Sequence, residues 1–196
     1  MRIIKAPHSY QEDIRKSRFL AQAVYLPDAE HAPELIAQLS TAAATHNCWA
    51  WRCAEQYRFN DDGEPGGTAG RPILAAIENQ NFDQVLVVVT RWYGGIQLGT
   101  GGLARAYGGC ANQVLQSAPS EQLVQRTTLV GHCPYPYLDL FKVRIAEAGG
   151  VLNSEEFDAE GAWLNFAVAA EQVAVLQEAL SEATRGGSVL KEVANS

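Results

Sequence analysis

The run Gln84-Val85-Leu86-Val87-Val88-Val89-Thr90-Arg91-Trp92-Tyr93-Gly94-Gly95-Ile96-Gln97-Leu98-Gly99-Thr100-Gly101-Gly102-Leu103-Ala104-Arg105-Ala106-Tyr107 decides how the first part of the chain is built. Val85 to Val89 is continuously apolar and mostly β-branched, the pattern of a strand covered on both faces. A strand is therefore expected over Gln84 to Thr90. The glycine-rich turn Gly94 to Gly102 follows it. Leu103, Ala106, Tyr107, Cys110, Ala111, Val114 and Leu115 then recur at spacings of three and four, which defines one buried helical face. Ala118-Pro119-Ser120 ends that helix and is expected to be the linker between two domains, 1–120 and 121–196.

Upstream, Arg2 to Ala6 reads as a strand leading into a polar turn, and Phe19 to Leu26 as a second strand. Pro27-Asp28 opens a helix with Asp28 as N-cap. Ala32, Leu35, Ile36, Leu39, Ala42 and Ala43 share its face. Cys48 to Cys53 alternates as a strand with Trp49 and Trp51 on one side, read as core or interdomain contacts rather than a platform for bases. Asp61-Asp62-Gly63-Glu64-Pro65-Gly66-Gly67-Thr68-Ala69-Gly70 is a loop by composition. A short helix is expected at Arg71 to Glu78.

Beyond the linker the order of expected elements is β-α-β-β-α-β. Strands are placed at Thr127 to His132, Val151 to Phe157, Ala162 to Ala169 and Ser188 to Val193. Helices are placed at Tyr137 to Ala148 and Gln172 to Thr184. That order is the ferredoxin-like split βαβ pattern, so the fold class is α+β.

Of the 196 residues 47% are hydrophobic, enough for a sizeable core, and the formal net charge is −7. Residues 1–120 hold ten Lys/Arg against eleven Asp/Glu, and residues 121–196 hold five against eleven. The acidity therefore belongs mainly to the second part. That balance makes a poor general polyanion binder, because binding must neutralise phosphates with cations. Any nucleic-acid site would be a local patch on the first domain. No apolar run reaches the roughly 18 residues of a membrane span, and no signal-peptide pattern opens the chain. The expected location is the cytoplasm. Cys48, Cys53, Cys110 and Cys133 include no C-x-x-C pair, and no compact Cys/His cluster accompanies them. Cys48, Cys53 and Cys110 read as small buried residues. No metal or cofactor is assigned.

Two dense stretches, Asp61 to Leu74 and Thr90 to Tyr107, together with Lys16-Ser17-Arg18-Phe19 and Thr45-His46-Asn47, resemble the YigZ/IMPACT family closely and in the right order. The resemblance spans the whole chain and is that of a bacterial two-domain member. Trp92 and Gln97 stand where aromatic and basic residues are common in the family. The resemblance implies an N-terminal ribosomal protein S5 domain 2-like domain followed by a C-terminal ferredoxin-like domain. Eukaryotic relatives carry a further N-terminal RWD domain and regulate a kinase that controls translation initiation. The 196 residues hold no counterpart of that domain, so the kinase-regulatory role is not carried over.

Three chemistries compete for the signature segment. In the first, the protein contacts RNA or the ribosome without enzymatic activity and is linked to translation or its regulation. Arg58, Arg71, Arg91 and Arg105 would meet phosphates while Trp92 and Tyr93 stack on bases. In the second, a small anionic ligand, phosphate or nucleotide, sits at the Gly94–Gly102 loop, where Gly94, Gly95, Gly99, Gly101 and Gly102 leave backbone N–H groups open at a helix start. No Walker lysine accompanies them. In the third, Asp61, Asp62 and Glu64, with His46, serve a Mg²⁺-assisted hydrolase. Asp-Gly and Glu-Pro are common turn chemistry. The favoured reading of that loop, Thr68 included, is a capping turn salt-bridged to nearby arginines. No catalytic residue is assigned, no membrane partner is expected, and the chain is expected to be a monomer or weak homo-oligomer.

Overall fold

The computed structural model describes residues 1–124 and 126–193. The first unit, Met1–Leu123, contains seven strands and three helices. They are β1 (Arg2–Ile4), β2 (His8–Ile14), β3 (Ser17–Tyr25), α1 (Ala32–Leu39), β4 (His46–Cys53), β5 (Gln56–Asn60), α2 (Gly70–Asn79), β6 (Val85–Trp92), α3 (Thr100–Ser117) and β7 (Ser120–Gln122). Five strands form an antiparallel sheet in the order β2-β3-β6-β4-β5. The most apolar strand, β6, takes the centre, as its sequence requires. Val85, Val87 and Val89 pack with Ile73, Leu74, Ile77 and the inner face of α3. Leu86 and Val88 pack on the other face with Trp51, Leu26 and Ala32. Each such side chain contributes roughly 1.5–3 kcal/mol by leaving water.

Helix α1 starts after a 3-10 turn at Ala29–His31, where Asp28 Oδ1 accepts from the N–H groups of Glu30 and His31. It ends at Leu39, with Ser40 already extended. Ala42 and Ala43 therefore lie outside the helix. The chain bends after β1 as expected, at residues 5 and 6, but the polar stretch beyond forms the edge strand β2, and β5 forms the opposite edge. The expected linker at Ala118–Ser120 runs directly into β7, which pairs with β1 in the register Arg2↔Gln122 and Ile4↔Ser120. This pairing carries the first unit to Leu123.

The second unit, Val124–Ser196, runs β8 (Arg126–Pro134), α4 (Tyr135–Glu147), β9 (Val151–Phe157), β10 (Gly161–Ala169), α5 (Val173–Thr184) and β11 (Lys191–Glu192). Its antiparallel sheet has the order β11-β8-β10-β9. Leu138, Phe141 and Ile145 of α4 and Leu176 and Leu180 of α5 cover one sheet face through Leu129, Leu164 and Phe166. Among the described residues no helix is long and apolar enough to cross a membrane.

Candidate functional site

Where β6 ends and α3 begins, the chain must turn within a few residues, and Gly94 makes this possible. A Cβ there would lie 1.8 Å from the carbonyl oxygen of Lys16, so only glycine fits. Gly95 and Gly99 take positive φ, and Gly99, at φ 72°, is the N-cap of α3. Gly101 and Gly102 lie inside the first turn of α3 rather than in the loop. No side chain caps this helix. Its first intrahelical bond is donated by Leu103 N–H to Gly99, which leaves the N–H groups of the first turn without helical partners.

The other wall of the cleft is built by the Asp61–Gly70 loop. Asp61 organises it. Its Oδ2 accepts from Gly67 N–H at 2.8 Å, and its Oδ1 accepts from Ala69 and Gly70 N–H at 3.0 and 2.8 Å. Burial alone would raise its pKa, but these three N–H donors outweigh that and hold it below the usual carboxylate value. Asp61 thus caps α2. Asp62 Oδ2 accepts from Asn47 N–H at 2.6 Å, and Thr68 Oγ1 donates to the Pro65 carbonyl. These contacts make the loop a turn that caps α2; of its three carboxylates only Glu64 pairs with an arginine, Arg91, among the described residues. Among the described residues no group of three or more His, Cys, Asp or Glu could hold a metal ion.

Glu64 and Arg91 meet inside. Arg91 Nη1 donates to Glu64 Oε1 at 2.7 Å, with the side chains 6% and 4% exposed. Tyr107 OH donates to the same oxygen at 2.7 Å. Burial, with Cys48 and Glu64 adding to it, pushes the Tyr107 phenol upward. Arg91 also donates from Nη2 to Ser17 Oγ and lies over the rings of Phe19 and Tyr93. Its Nε is buried and has no partner among the described residues. His46 Nδ1 donates to the Asp62 carbonyl at 2.7 Å. When neutral, the ring is therefore unprotonated at Nε2, which stands 3.8 Å from Glu64 Oε1. His46, Glu64, Arg91, Tyr93, Gly99 and Thr100 line one open cleft of about 480 Å³.

The six residues proposed for RNA do not form one surface. Arg91 is interior. Arg58 on β5 sits opposite Trp51, on the α1 side of the sheet. Arg71 and Arg105 are exposed on α2 and α3, and Arg105 shares a separate depression with Glu12 and Arg15. Trp92 is half-buried and Tyr93 is exposed. Sequence reasoning missed the Tyr107 hydroxyl. The available signal was a phenol on an otherwise apolar helical face, since a buried tyrosine normally needs a partner for its OH.

A two-unit α+β protein with a buried Glu–Arg–Tyr cluster beside a glycine-built helix start is the class that these features define. The Impact N-terminal domain family matches residues 15–115, and a domain of unknown function, DUF1949, matches residues 132–186. The chain belongs to the IMPACT family, as a bacterial member of the YigZ type. It is 34% identical over 188 residues to IMPACT family member YigZ of Escherichia coli, covering 92% of each chain. It is 41% identical over 151 residues to an IMPACT family member of Thermus thermophilus, covering 77% of this chain and 80% of that one. With Protein IMPACT of Rattus norvegicus it shares 38% identity over 93 residues, 43% of this chain and 29% of that protein. A solved structure described as a hypothetical protein superposes with a TM-score of 0.72 at 32% identity, covering 100% of this chain and 98% of the other.

Proposed function

We propose that this protein is a binding factor whose cleft takes a small anionic group, phosphate above all. The observation that carries this is Arg91. It is a buried cation, held by Glu64, that lines the cleft, while the uncapped start of α3 opens into the same space. Backbone N–H groups and the helix dipole favour negative charge there. Glu64 holds Arg91 in place and Tyr107 holds Glu64, so the site is organised before any ligand arrives.

Thermal unfolding with inorganic phosphate, pyrophosphate and nucleoside phosphates at matched ionic strength tests the reading. A ligand at a hundred times its Kd stabilises by about 2.7 kcal/mol. Gln97 is exposed and lines the cleft, so Gln97→Glu should abolish the stabilisation without unfolding the protein. Equal melting temperatures with every anion and with chloride would sink the proposal.

A second reading is a cytoplasmic role in translation or its regulation through contact with RNA or the ribosome. The family relationship supports it, as does the likeness proposed for the two units, the first to domain 2 of ribosomal protein S5 and the second to ferredoxin-like domains. The β-α-β-β-α-β order and the sheet order β11-β8-β10-β9 favour the ferredoxin-like assignment. Exposed Tyr93, Arg71 and Arg105 are available to a large partner. Binding to RNA should then weaken steeply with added salt. Filter binding that detects no RNA even at low salt overturns it.

A further inference from the structure

A second pocket, of about 540 Å³, opens on the other side of the first unit's sheet, between α1 and strands β4 and β5. Its size suits a small organic ligand. Strand alternation puts Trp49 and Trp51 on this face. Trp51 is 4% exposed and packs with Leu86, Val88 and Ala32. Trp49 packs beside it but is only half-buried. The result is a fixed aromatic floor with one ring partly open, walled by Pro33 and Ile36.

The rim is polar. The register Trp51↔Arg58 places Arg58 next to the floor, on an edge strand exposed along its whole length. Glu30 lines the pocket as well, carried on the 3-10 turn before α1. Among the described residues neither Arg58 nor Glu30 has an ion-pair partner. An apolar ligand would use the floor and leave both charges idle. A simple anion would use Arg58 and leave the indole idle. A ligand with a flat ring, amino groups on its edge and an anionic tail uses all of them. Indoles stack on any base, carboxylates accept from exocyclic amino groups, and guanidinium binds phosphate through charge-assisted bonds.

We propose that this pocket binds a nucleotide, with the base on Trp49, its edge toward Glu30 and the phosphate held by Arg58. The nucleotide is either free or one unit of a single-stranded RNA, and the site is independent of the cleft at α3.

The test is tryptophan fluorescence in a Trp92→Phe, Trp163→Phe background, so that emission comes from Trp49 and Trp51. Adenosine monophosphate and a short oligoadenylate are titrated separately. Saturable quenching by at least one is expected. Much tighter binding of the oligomer identifies RNA as the source, and equal binding per site identifies the free nucleotide. Arg58→Glu should weaken binding about tenfold or more, as one lost charge-assisted contact does. Calorimetry on Trp49→Leu should show a similar loss, as expected for one stacked base. Gln97→Glu should change nothing. Absence of quenching with both probes, or affinities unmoved by Arg58→Glu and Trp49→Leu in correctly melting protein, overturns the proposal.

Discussion

Glu64 and Arg91 are joined by a 2.7 Å bond with both side chains almost wholly out of water. Removing one partner strands the other, which typically costs about 3–5 kcal/mol, whereas replacing both with neutral side chains of similar size is far milder. Glu64→Ala should therefore lower stability by about that amount. The double change Glu64→Gln with Arg91→Met should recover much of the loss. Urea unfolding of the three proteins checks this; a double variant as unstable as Glu64→Ala would contradict it.

Tyr107→Phe keeps the ring against Phe19, at 5.3 Å between centroids, and deletes only the hydroxyl that donates to Glu64. A loss of about 1.5–3 kcal/mol is expected, the value of one hydrogen bond to a charged acceptor. A denaturant midpoint equal to that of the parent protein would show that the hydroxyl does not hold Glu64.

Gly94→Ala forces a methyl group onto the Lys16 carbonyl. Backbone cannot yield as a side-chain tip can, so a loss at or above about 3 kcal/mol is expected, the upper end of overpacking costs. Gly66→Ala is the control, because nothing lies within 4 Å of a Cβ there. Calorimetric melting of both should separate them clearly.

Asp61 supplies a pH signature. Its folded pKa is depressed, so the stability it contributes is present above its unfolded value of about 3.9. That stability is lost as pH falls through the lower folded value. Asp61→Asn should reduce stability at neutral pH by about 1–2 kcal/mol, as for a lost helix cap. It should also flatten the decline below about pH 4. Identical acid-unfolding curves would remove Asp61 from its capping role.

The cysteines should differ in reactivity. Burial pushes the thiols of Cys48 and Cys110 up to about 12, leaving almost no thiolate near neutral pH. Cys53 is half-exposed with a smaller upward shift. A thiol reagent followed by peptide mapping should label Cys53 first, and Cys48 and Cys110 only on unfolding. Early labelling of Cys48 would contradict this.

The parts of the fold legible in sequence were those that bury a face. The Val85–Val89 run and the three-and-four spacing of α3 report their own cover, and both elements formed there, with β6 running on to Trp92 and α3 starting at Thr100, inside the expected turn. The polar edge strands β2 and β5 were missed because they have little or nothing buried to alternate. Strand β7 was missed for a different reason. It is held by partners near residue 3, and no local pattern reports a partner over a hundred positions away. The site shows the same division. Each of His46, Glu64 and Arg91 stood out as a residue type in a dense motif. That Glu64 selects Arg91 over Arg58, Arg71 and Arg105 depends on which face of β6 position 91 occupies.

Strand β1 lies antiparallel to β7, and Leu123 N–H donates to the Met1 carbonyl at 2.9 Å. Entry to and exit from the first unit are therefore one spot, like the two ends of a drawstring. Tension applied between Met1 and Leu123 loads the β1–β7 bonds one after another instead of all together. They would part at low force while the five-stranded sheet stays whole. A mechanical pull on this chain should thus lengthen it in a small early step before any core strand yields.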